Sequence, residues 1–493
     1  MIALNDVTFR YGHDGDEAQA EPGVRNISLK VPPGQCVVLC GRSGCGKSTI
    51  LRLINGLAPN CYPGKIMGEV LVDGKNPAEL PPEERTRKLG VVFQDPRSQF
   101  FMDNVRDELA FSAENLGLPA EFILERIERQ AEMLGIAHLL DRKLARLSSG
   151  QKQRVAIAAA SILAPPLLIL DEPTANLDEQ ATKSIVEILG RLKREGTTLV
   201  ISEHRLHALL PIADSFVCME QGRISRQWSK EQFAALSYAE VRPYGLRHPD
   251  MVKDYITGRT EQADPLSPVF AGHGLGYRHK RSAEGLTGVD LALPKGTVTA
   301  LTGENGAGKT TLGKILSGLL RQRSGKIVQD GAVLSASQRR AMSYLVMQDA
   351  DYQLYADSVG NELVLGRHID ETLRRKAFEA MEAFGLSALQ GRHPASLSGG
   401  EKQRVTMAAA YCSDAELIIL DEPTSGLDGE GVLHVVEWVR KLAWAGKTVI
   451  LITHDPILTR LACDHVVELT RKGEDRIEQS NQARDTQIAG IGR

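Results

Sequence analysis

The chain has 493 residues, of which 42% are hydrophobic and 25% charged, and its formal net charge is −3 from 59 basic and 62 acidic residues. This composition is ordinary for a soluble globular protein. A near-neutral balance gives no overall field to hold nucleic acid or an anionic membrane, so no nucleic-acid partner is predicted. The N-terminus lacks the basic segment and apolar core of a secretory signal. No stretch approaches the roughly 18 apolar residues of a membrane helix.

The predicted elements occur twice along the chain. Strands at Gln35 to Leu39 and Thr297 to Leu301 run into glycine-rich turns, and each turn opens a helix. Further motifs recur 250 residues apart, as Glu172 and Glu422 do, whereas the first turns lie 262 residues apart. Strand, loop and helix therefore alternate in both halves, which predicts an α/β fold with a largely parallel sheet. The predicted domains are residues 1–228 and 267–470, with a linker at 229–266 and a polar tail at 471–493.

Each glycine-rich turn matches the GxxxxGK[S/T] phosphate loop. Successive backbone N–H groups in such a turn point at a triphosphate, the lysine reaches the β and γ phosphates, and the hydroxyl binds Mg²⁺. ATP and Mg²⁺ are the predicted cofactors. The first loop comprises Gly41, Arg42, Ser43, Gly44, Cys45, Gly46, Lys47, Ser48 and Thr49, and the second comprises Gly303, Glu304, Asn305, Gly306, Ala307, Gly308, Lys309, Thr310 and Thr311.

An acidic pair ends an apolar strand in each half. Asp171 and Asp421 are predicted metal ligands, together with Ser48 and Thr310. The glutamates Glu172 and Glu422 follow directly and are predicted to orient or deprotonate the water that attacks the γ-phosphorus. An Asp-Glu pair alone is usually a solvated loop, but its recurrence after each phosphate loop favours catalysis.

Other polar residues recur after predicted strands or before predicted helices. Gln94 and Gln348 are predicted to contact the metal or the attacking water, and His204 and His454 the γ-phosphate. Two serine-glycine segments precede alanine-rich helices, where a serine is either a plain N-cap or part of an anion site. The repeat favours the anion site for Ser148, Ser149 and Gly150 and for Ser398, Gly399 and Gly400. Tyr11 and Tyr277 either stack on adenine or pack as strand residues.

The ordered set of motifs resembles the ATP-binding-cassette superfamily in both halves. The resemblance implies a RecA-like parallel-sheet core, an antiparallel β subdomain and a helical subdomain in each half. It also implies two cassettes that close head to tail around two ATP molecules. Lys47, Gln94, Glu172 and His204 would then share a site with Ser398 to Gly400. The second site would pair Lys309, Gln348, Glu422 and His454 with Ser148 to Gly150.

A narrower resemblance follows each glutamine. Gln99-Phe100-Phe101 and Gln353-Leu354-Tyr355 look like segments of the energy-coupling-factor importers, which take up vitamins or transition-metal ions. The resemblance implies an integral membrane coupling (T-type) protein and a substrate-binding (S-type) membrane protein as partners. It places the chain peripherally on the cytoplasmic face of the membrane. Aromatic groove residues could instead be ordinary packing.

Two residues depart from the family pattern. Ser149 replaces the usual signature glycine, and Asn176 replaces the usual glycine in the loop after the first Asp-Glu pair. Both belong to the half that would complete the second site, so that site is expected to be slower or differently regulated.

Two alternative functions remain open. A soluble tandem cassette protein acting on ribosomes or RNA typically carries basic arms or a cysteine-rich iron–sulfur domain, and neither is present. A tandem sugar-importer ATPase typically has one degenerate site, whereas both phosphate loops here are intact.

Overall fold

The computed structural model describes residues 1–12, 22–175, 177–252, 268–278, 285–348, 350–397 and 399–470. The chain divides into two compact units, Met1–Met251 with Asp428–Glu430, and Val252–Leu427 with Gly431–Arg493. Each unit contains an antiparallel sheet, a mainly parallel sheet and helices. The predicted α/β class is therefore confirmed.

The first unit contains two sheets. An antiparallel sheet has the order β2-β1-β4, and a larger sheet has the order β5-β6-β7-β3-β8-β9, in which only β9 is antiparallel to its neighbour. The strands are β1 Ile2–Tyr11, β2 Pro22–Val31, β3 Cys36–Gly41, β4 Gly64–Val72, β5 Leu89–Val92, β6 Leu167–Asp171, β7 Thr198–Ser202, β8 Ser215–Glu220 and β9 Arg223–Ser229.

The helices of the first unit include three that pack on one another, Val105–Asn115, Ala120–Met133 and Ser149–Ser161. This group is the helical subdomain that the resemblance implies. The remaining helices are Lys47–Ile54, Pro82–Lys88, Glu179–Arg194, Leu206–Leu209, Lys230–Ala234 and Tyr238–Val241, with 3₁₀ turns at Pro96–Ser98, Ala137–Leu139, Leu144–Arg146 and Arg242–Tyr244.

The second unit repeats this plan. Its antiparallel sheet has the order β11-β10-β13-β14, and its parallel sheet has the order β15-β16-β17-β12-β18. The strands are β10 Pro268–Arg278, β11 Gly285–Pro294, β12 Val298–Thr302, β13 Ser324–Gln329, β14 Ala332–Val333, β15 Ser343–Val346, β16 Leu417–Asp421, β17 Thr448–Ile452 and β18 His465–Glu468. The helices are Lys309–Leu316, Ala336–Met342, Val359–Val364, Glu371–Ala383, Gly399–Cys412, Gly429–Trp444 and Pro456–Ala462, with 3₁₀ turns at Ala350–Tyr352, Ser387–Leu389 and Pro394–Ser396.

The strand order explains where polar residues gather. β3 and β7 are buried along their whole length, as is typical of parallel strands covered by helices on both faces. In the first unit, β5, β6, β7 and β3 are consecutive neighbours, so their carboxyl ends share one edge of the sheet. In the second unit, β15, β16, β17 and β12 repeat this arrangement. Ligands of open parallel sheets bind at that edge.

The predicted linker at residues 229–266 differs from the structure over its described part. It contains the short helices Lys230–Ala234 and Tyr238–Val241, and Phe233, Tyr238 and Val241 are buried in the first unit. The ring of Phe233 stacks on Phe216 of β8 with centroids 4.0 Å apart. Burial of these apolar side chains stabilises the segment against the sheet. The rest of the predicted linker from 253 onward, and the predicted tail at 471–493, lie outside the described residues.

Candidate active site

The first phosphate loop connects β3 to the helix Lys47–Ile54. The helix begins after Gly46, whose φ of 107° lies in the left-handed region, and no side chain caps its first turn. The Lys47 side chain is buried, and its ammonium donates to the carbonyl oxygens of Gly41 at 3.0 Å and Arg42 at 3.1 Å. The lysine side chain therefore folds back onto its own loop, and the N–H groups at the start of the helix have no side-chain cap.

The second phosphate loop has the same geometry. It follows β12 and ends at Gly308, whose φ is 101°, immediately before the helix Lys309–Leu316. Lys309 is buried and donates to the carbonyl oxygens of Gly303 at 2.7 Å and Glu304 at 3.0 Å. Uncapped helix N–H groups next to a fixed ammonium form an anion site suited to phosphate.

We expect Gly41→Ala to destabilise the first loop strongly. Gly41 has a φ of 128°, and a Cβ there would lie 2.2 Å from the carbonyl oxygen of Met219. Gly34 is the matched control, because its φ is 75° and a Cβ would meet nothing within 4 Å. Gly41→Ala should lower the free energy of unfolding by more than ~3 kcal/mol, against ~1 kcal/mol for Gly34→Ala. Chemical denaturation checks this, and equal losses would contradict the predicted clash.

A carboxylate and a hydroxyl meet beside each phosphate loop. The Thr310 hydroxyl donates to Asp421, at the end of β16, over 2.8 Å. At Asp171, at the end of β6, burial raises the pKa of the carboxyl group and the nearby Ser48 hydroxyl lowers it. Burial also raises the pKa of Asp421, and the charge of Glu172 adds to the effect of burial at Asp171.

This donor set fits Mg²⁺. The ion prefers oxygen ligands and is usually held by one or two carboxylates together with phosphate oxygens and water. A bound cation would also offset the cost of a buried negative charge. Among the described residues, no cluster of three or more His, Cys, Asp or Glu side chains could hold a metal.

Glu172 lies at the centre of the first site. It follows β6 with a φ of 47°, a strained value for a residue other than glycine. Its Oε2 accepts a hydrogen bond from Gln94 at 2.8 Å, and its Oε1 lies 3.4 Å from Nε2 of His204. Burial raises the pKa of the Glu172 carboxyl, but the hydrogen bond and charge of His204, the charge of Lys47 and the hydrogen bond of Gln94 hold it below its usual range. The carboxylate form is therefore favoured.

Glu422 occupies the corresponding place in the second unit. It follows β16 with a φ of 50°, and its Oε1 lies 3.7 Å from Nε2 of His454. His454 also shares a 3.0 Å hydrogen bond with Asn305 of the phosphate loop, a contact that sequence reasoning did not assign. Gln348 is exposed just after β15. In both units, a carboxylate and a histidine lie together at the sheet edge beside a phosphate loop, an arrangement that could orient or activate a water at a γ-phosphate.

The two serine-glycine segments differ in what the structure describes. Ser148 is the N-cap of the helix Ser149–Ser161 and forms a capping box, because its hydroxyl accepts from the Gln151 N–H at 3.3 Å and its own N–H donates to the Gln151 side chain at 3.0 Å. Gly399 and Gly400 begin the helix Gly399–Cys412, and Ser398 lies outside the described residues. The plain N-cap role is thus observed at Ser148, and the anion-binding role remains a prediction.

The two tyrosines lie at or next to the last position of a strand in the antiparallel sheets. Tyr11, the last residue of β1, shares a 2.9 Å hydrogen bond with Thr49 of the phosphate-loop helix and accepts another from Arg52 at 3.1 Å. Tyr277 lies on β10 and packs, half-buried, against the core. Each ring has a packing role, and stacking on adenine remains a prediction.

Within the described residues, none of the helices combines the length and the apolar composition needed to cross a bilayer.

Two phosphate loops, each beside an Asp-Glu strand end and a histidine, define a duplicated P-loop ATPase. The family pattern described as "ABC transporter" matches residues 24–175 and 286–425. A protein of Treponema denticola, provisionally named an ABC transporter ATP-binding protein, is 38% identical over 475 residues that cover 95% of each chain. The chain therefore belongs to the ABC transporter family, as a tandem ATP-binding protein that hydrolyses ATP.

Two further comparisons differ in their functional names. A Bacillus subtilis protein, YkoD, provisionally named an HMP/thiamine import ATP-binding protein, is 31% identical over 96% of this chain and 90% of its own. The crystallised archaeal ribosome recycling factor aABCE1, in complex with the ribosomal stalk protein aP1, superposes with a TM-score of 0.63. It is 25% identical over 94% of this chain and 87% of its own.

Proposed function

We propose that this chain is the energy-coupling ATPase of an importer of the energy-coupling-factor type, which takes up a vitamin or a transition-metal ion. Its partners are then a T-type coupling protein and an S-type substrate-binding protein in the membrane, and the chain works peripherally on the cytoplasmic face. Mg²⁺ accompanies each ATP, held by Ser48, Asp171 and Gln94 in one cassette and by Thr310, Asp421 and Gln348 in the other.

The observation that carries the proposal is an exposed aromatic surface after each site glutamine. Phe101 is 73% exposed, and its ring stacks on Phe111 with centroids 4.9 Å apart. In the second unit, Tyr355 is 78% exposed and Tyr352 is 62% exposed. Exposed aromatic side chains at equivalent positions in the two units support a surface that binds a protein partner.

Buried carboxylates hold both surfaces in place. Glu108 accepts the backbone N–H groups of Phe101 and Met102, each at 2.9 Å. Glu362 likewise accepts those of Tyr355 at 2.9 Å and Ala356 at 2.7 Å. A carboxylate with two backbone donors fixes a loop that has little core of its own. The aromatic residues are therefore presented on a rigid backbone, which favours binding.

The glutamine at the start of each surface joins it to the sheet. Gln99 accepts from the Phe93 N–H at 3.1 Å and donates to the Val91 carbonyl at 3.0 Å. Gln353 makes the same two contacts with Met347 and Leu345, at 3.0 and 2.9 Å. Because Gln94 and Gln348 lie between these anchors, a partner that moves the aromatic surface would also move a predicted ligand of the ATP site. The import-related name of YkoD supports the same proposal.

We further infer that the cassettes hydrolyse ATP as a pair. Ser398, Gly399 and Gly400 would complete the site of Lys47 and Glu172, while Ser148, Ser149 and Gly150 would complete that of Lys309 and Glu422. This inference rests on the family resemblance of the motifs.

Substitution of the two aromatic surfaces tests the importer proposal. We expect Phe101→Ser with Tyr355→Ser to lower recovery of integral membrane proteins at least tenfold when the tagged chain is isolated from detergent-solubilised membranes, while ATP binding is kept. Phe378→Ser is the matched control, because Phe378 is 62% exposed on the helix Glu371–Ala383, which is not part of either aromatic surface. Equal recovery from the double variant and the control would contradict the proposal.

The similarity to aABCE1 favours one alternative, action on ribosomes. The two chains share the tandem fold over most of their lengths. The same isolation experiment distinguishes the two functions. A chain that acts on ribosomes would co-purify with ribosomal proteins, and its recovery of membrane proteins would not depend on Phe101 or Tyr355.

A further inference from the structure

A buried carboxylate lies directly before the histidine of the first site. Glu203 is 2% exposed, and its Oε1 accepts hydrogen bonds from both the backbone N–H, at 3.1 Å, and the hydroxyl of Thr174. Its Oε2 accepts the backbone N–H of His204 at 2.6 Å. Thr174 is fully buried two residues after Glu172. One side chain therefore ties the loop after the glutamate to the backbone that carries the histidine.

The second site has a buried carboxylate on the other side of its histidine. Asp455 is also 2% exposed, and its Oδ2 accepts the hydroxyl of Thr424 at 2.9 Å. Its Oδ1 accepts the Ile457 N–H at 3.0 Å and so caps the helix Pro456–Ala462. Thr424 lies two residues after Glu422, as Thr174 lies after Glu172.

A comparison of the two halves shows that the carboxylate lies before the histidine in the first unit and after it in the second. The first unit reads Glu203-His204-Arg205, and the second reads Thr453-His454-Asp455. Arg205 instead donates to the Leu177 carbonyl at 2.9 Å, and Thr453 accepts the Asp455 N–H at 3.0 Å. In both units, a buried carboxylate therefore accepts a hydrogen bond from the equivalent threonine. The carboxylate precedes the histidine in one unit and follows it in the other.

We propose that Glu203 and Asp455 are equivalent positioning residues that hold the glutamate and the histidine of each ATP site in register. The inference rests on the proposed catalytic roles of Glu172 and His204. A buried carboxylate that accepts several hydrogen bonds is a rigid link in a low-dielectric interior. The Glu–His separations of 3.4 and 3.7 Å are then set by the link, because the two loops leave different strands, β6 and β7 or β16 and β17. Support of this kind keeps reacting groups within the narrow range that catalysis requires.

A carboxylate transplant in the first unit tests the proposal in the full chain. Glu203→Thr removes the link, and Arg205→Asp added to it recreates the order of residues of the second unit. We expect Glu203→Thr to lower kcat for ATP about 10- to 100-fold with KM changed less than about threefold. The double variant should return kcat to within about fivefold of the unmodified chain. Arg205→Asp alone should lower kcat, because it places a second buried carboxylate beside Glu203.

The mirror pair serves as an independent repetition. Asp455→Arg should lower kcat, and Thr453→Glu added to it should restore activity. Each double variant differs from the native sequence at both positions that flank the histidine. Recovery of kcat by a carboxylate on the opposite side of the histidine would therefore indicate positioning by the carboxylate and not the filling of space by a particular side chain. Thermal melting of every variant reports whether the fold is intact.

Three outcomes would overturn the proposal. They are an unchanged kcat in Glu203→Thr, a double variant that melts like the unmodified chain but stays inactive, and a double variant that does not fold. If Glu203→Thr itself does not fold, recovery of kcat in the double variant still supports the link. Glu172→Gln is measured in parallel. Retained ATP turnover in Glu172→Gln would contradict the proposed catalytic role of Glu172. Lost turnover in Glu172→Gln together with an unchanged kcat in Glu203→Thr would contradict only the positioning role of Glu203.

Discussion

Replacing both Glu172 and Glu422 with glutamine should abolish ATP turnover and leave ATP binding intact. Glutamine keeps the size of each side chain, but it cannot take a proton from water at neutral pH. A positioned general base contributes about 10²- to 10⁴-fold to a rate, so steady-state hydrolysis should fall by at least about 100-fold. Lys47, Lys309 and the phosphate loops are unchanged, so equilibrium binding of ATP should stay within about threefold.

The chain provides a matched control for this experiment. Glu187 and Glu437 also lie 250 residues apart, and both are exposed, on the helices Glu179–Arg194 and Gly429–Trp444. Their double replacement by glutamine removes the same charge from the same two units and should leave turnover unchanged. Substantial hydrolysis by the Glu172→Gln, Glu422→Gln chain would remove these carboxylates from their proposed role.

Removal of the two phosphate-loop lysines should have unequal effects. Both ammonium groups are buried and make the same two contacts to their own loops. The first loop would nevertheless be completed by the serine-glycine segment that has Gly399 at its second position, and the second loop by the segment that has Ser149 there. We expect Lys47→Ala to lower turnover at least about 100-fold and Lys309→Ala less than about tenfold. ATP hydrolysis by the two purified variants measures the difference.

Ser149 provides the control for this asymmetry. It is exposed at the first position of its helix, so Ser149→Gly should leave the fold intact. In the Lys47→Ala chain, it should raise the remaining turnover if the added Cβ slows the second site. The other departure, Asn176, lies outside the described residues. Equal losses from the two lysine variants would count against unequal sites.

The sequence predicted the features that local chemistry determines. The phosphate loops, the helices after them and the Asp-Glu strand ends all lie where predicted, because glycine spacing and apolar runs are local signals. Two contacts around the proposed catalytic groups were not predicted, although Asn305 itself was a predicted phosphate-loop residue. Glu203 meets Thr174 across 29 positions in sequence, and Asn305 meets His454 across 149. Such contacts depend on strand order, which a single sequence does not reveal.

The predicted linker differs from the structure for a related reason. Its polar composition resembles a connector, yet Phe233 and Tyr238 are spaced so that they pack back onto the first unit. Apolar side chains scattered among charged ones give no clear period, so short helices that pack by a few anchors are easily missed.

The stacking of Phe233 on Phe216 decides how the molecule can be divided for biochemical work. A fragment of the first cassette that ended at Trp228 would leave the Phe216 ring facing water and would lose the companion rings of Tyr238 and His248, which stack with centroids 6.4 Å apart. A recombinant fragment that continues through Met251 keeps Phe233, Tyr238 and His248, so the Phe216 ring stays covered. Solubility trials of the two fragments should favour the longer one.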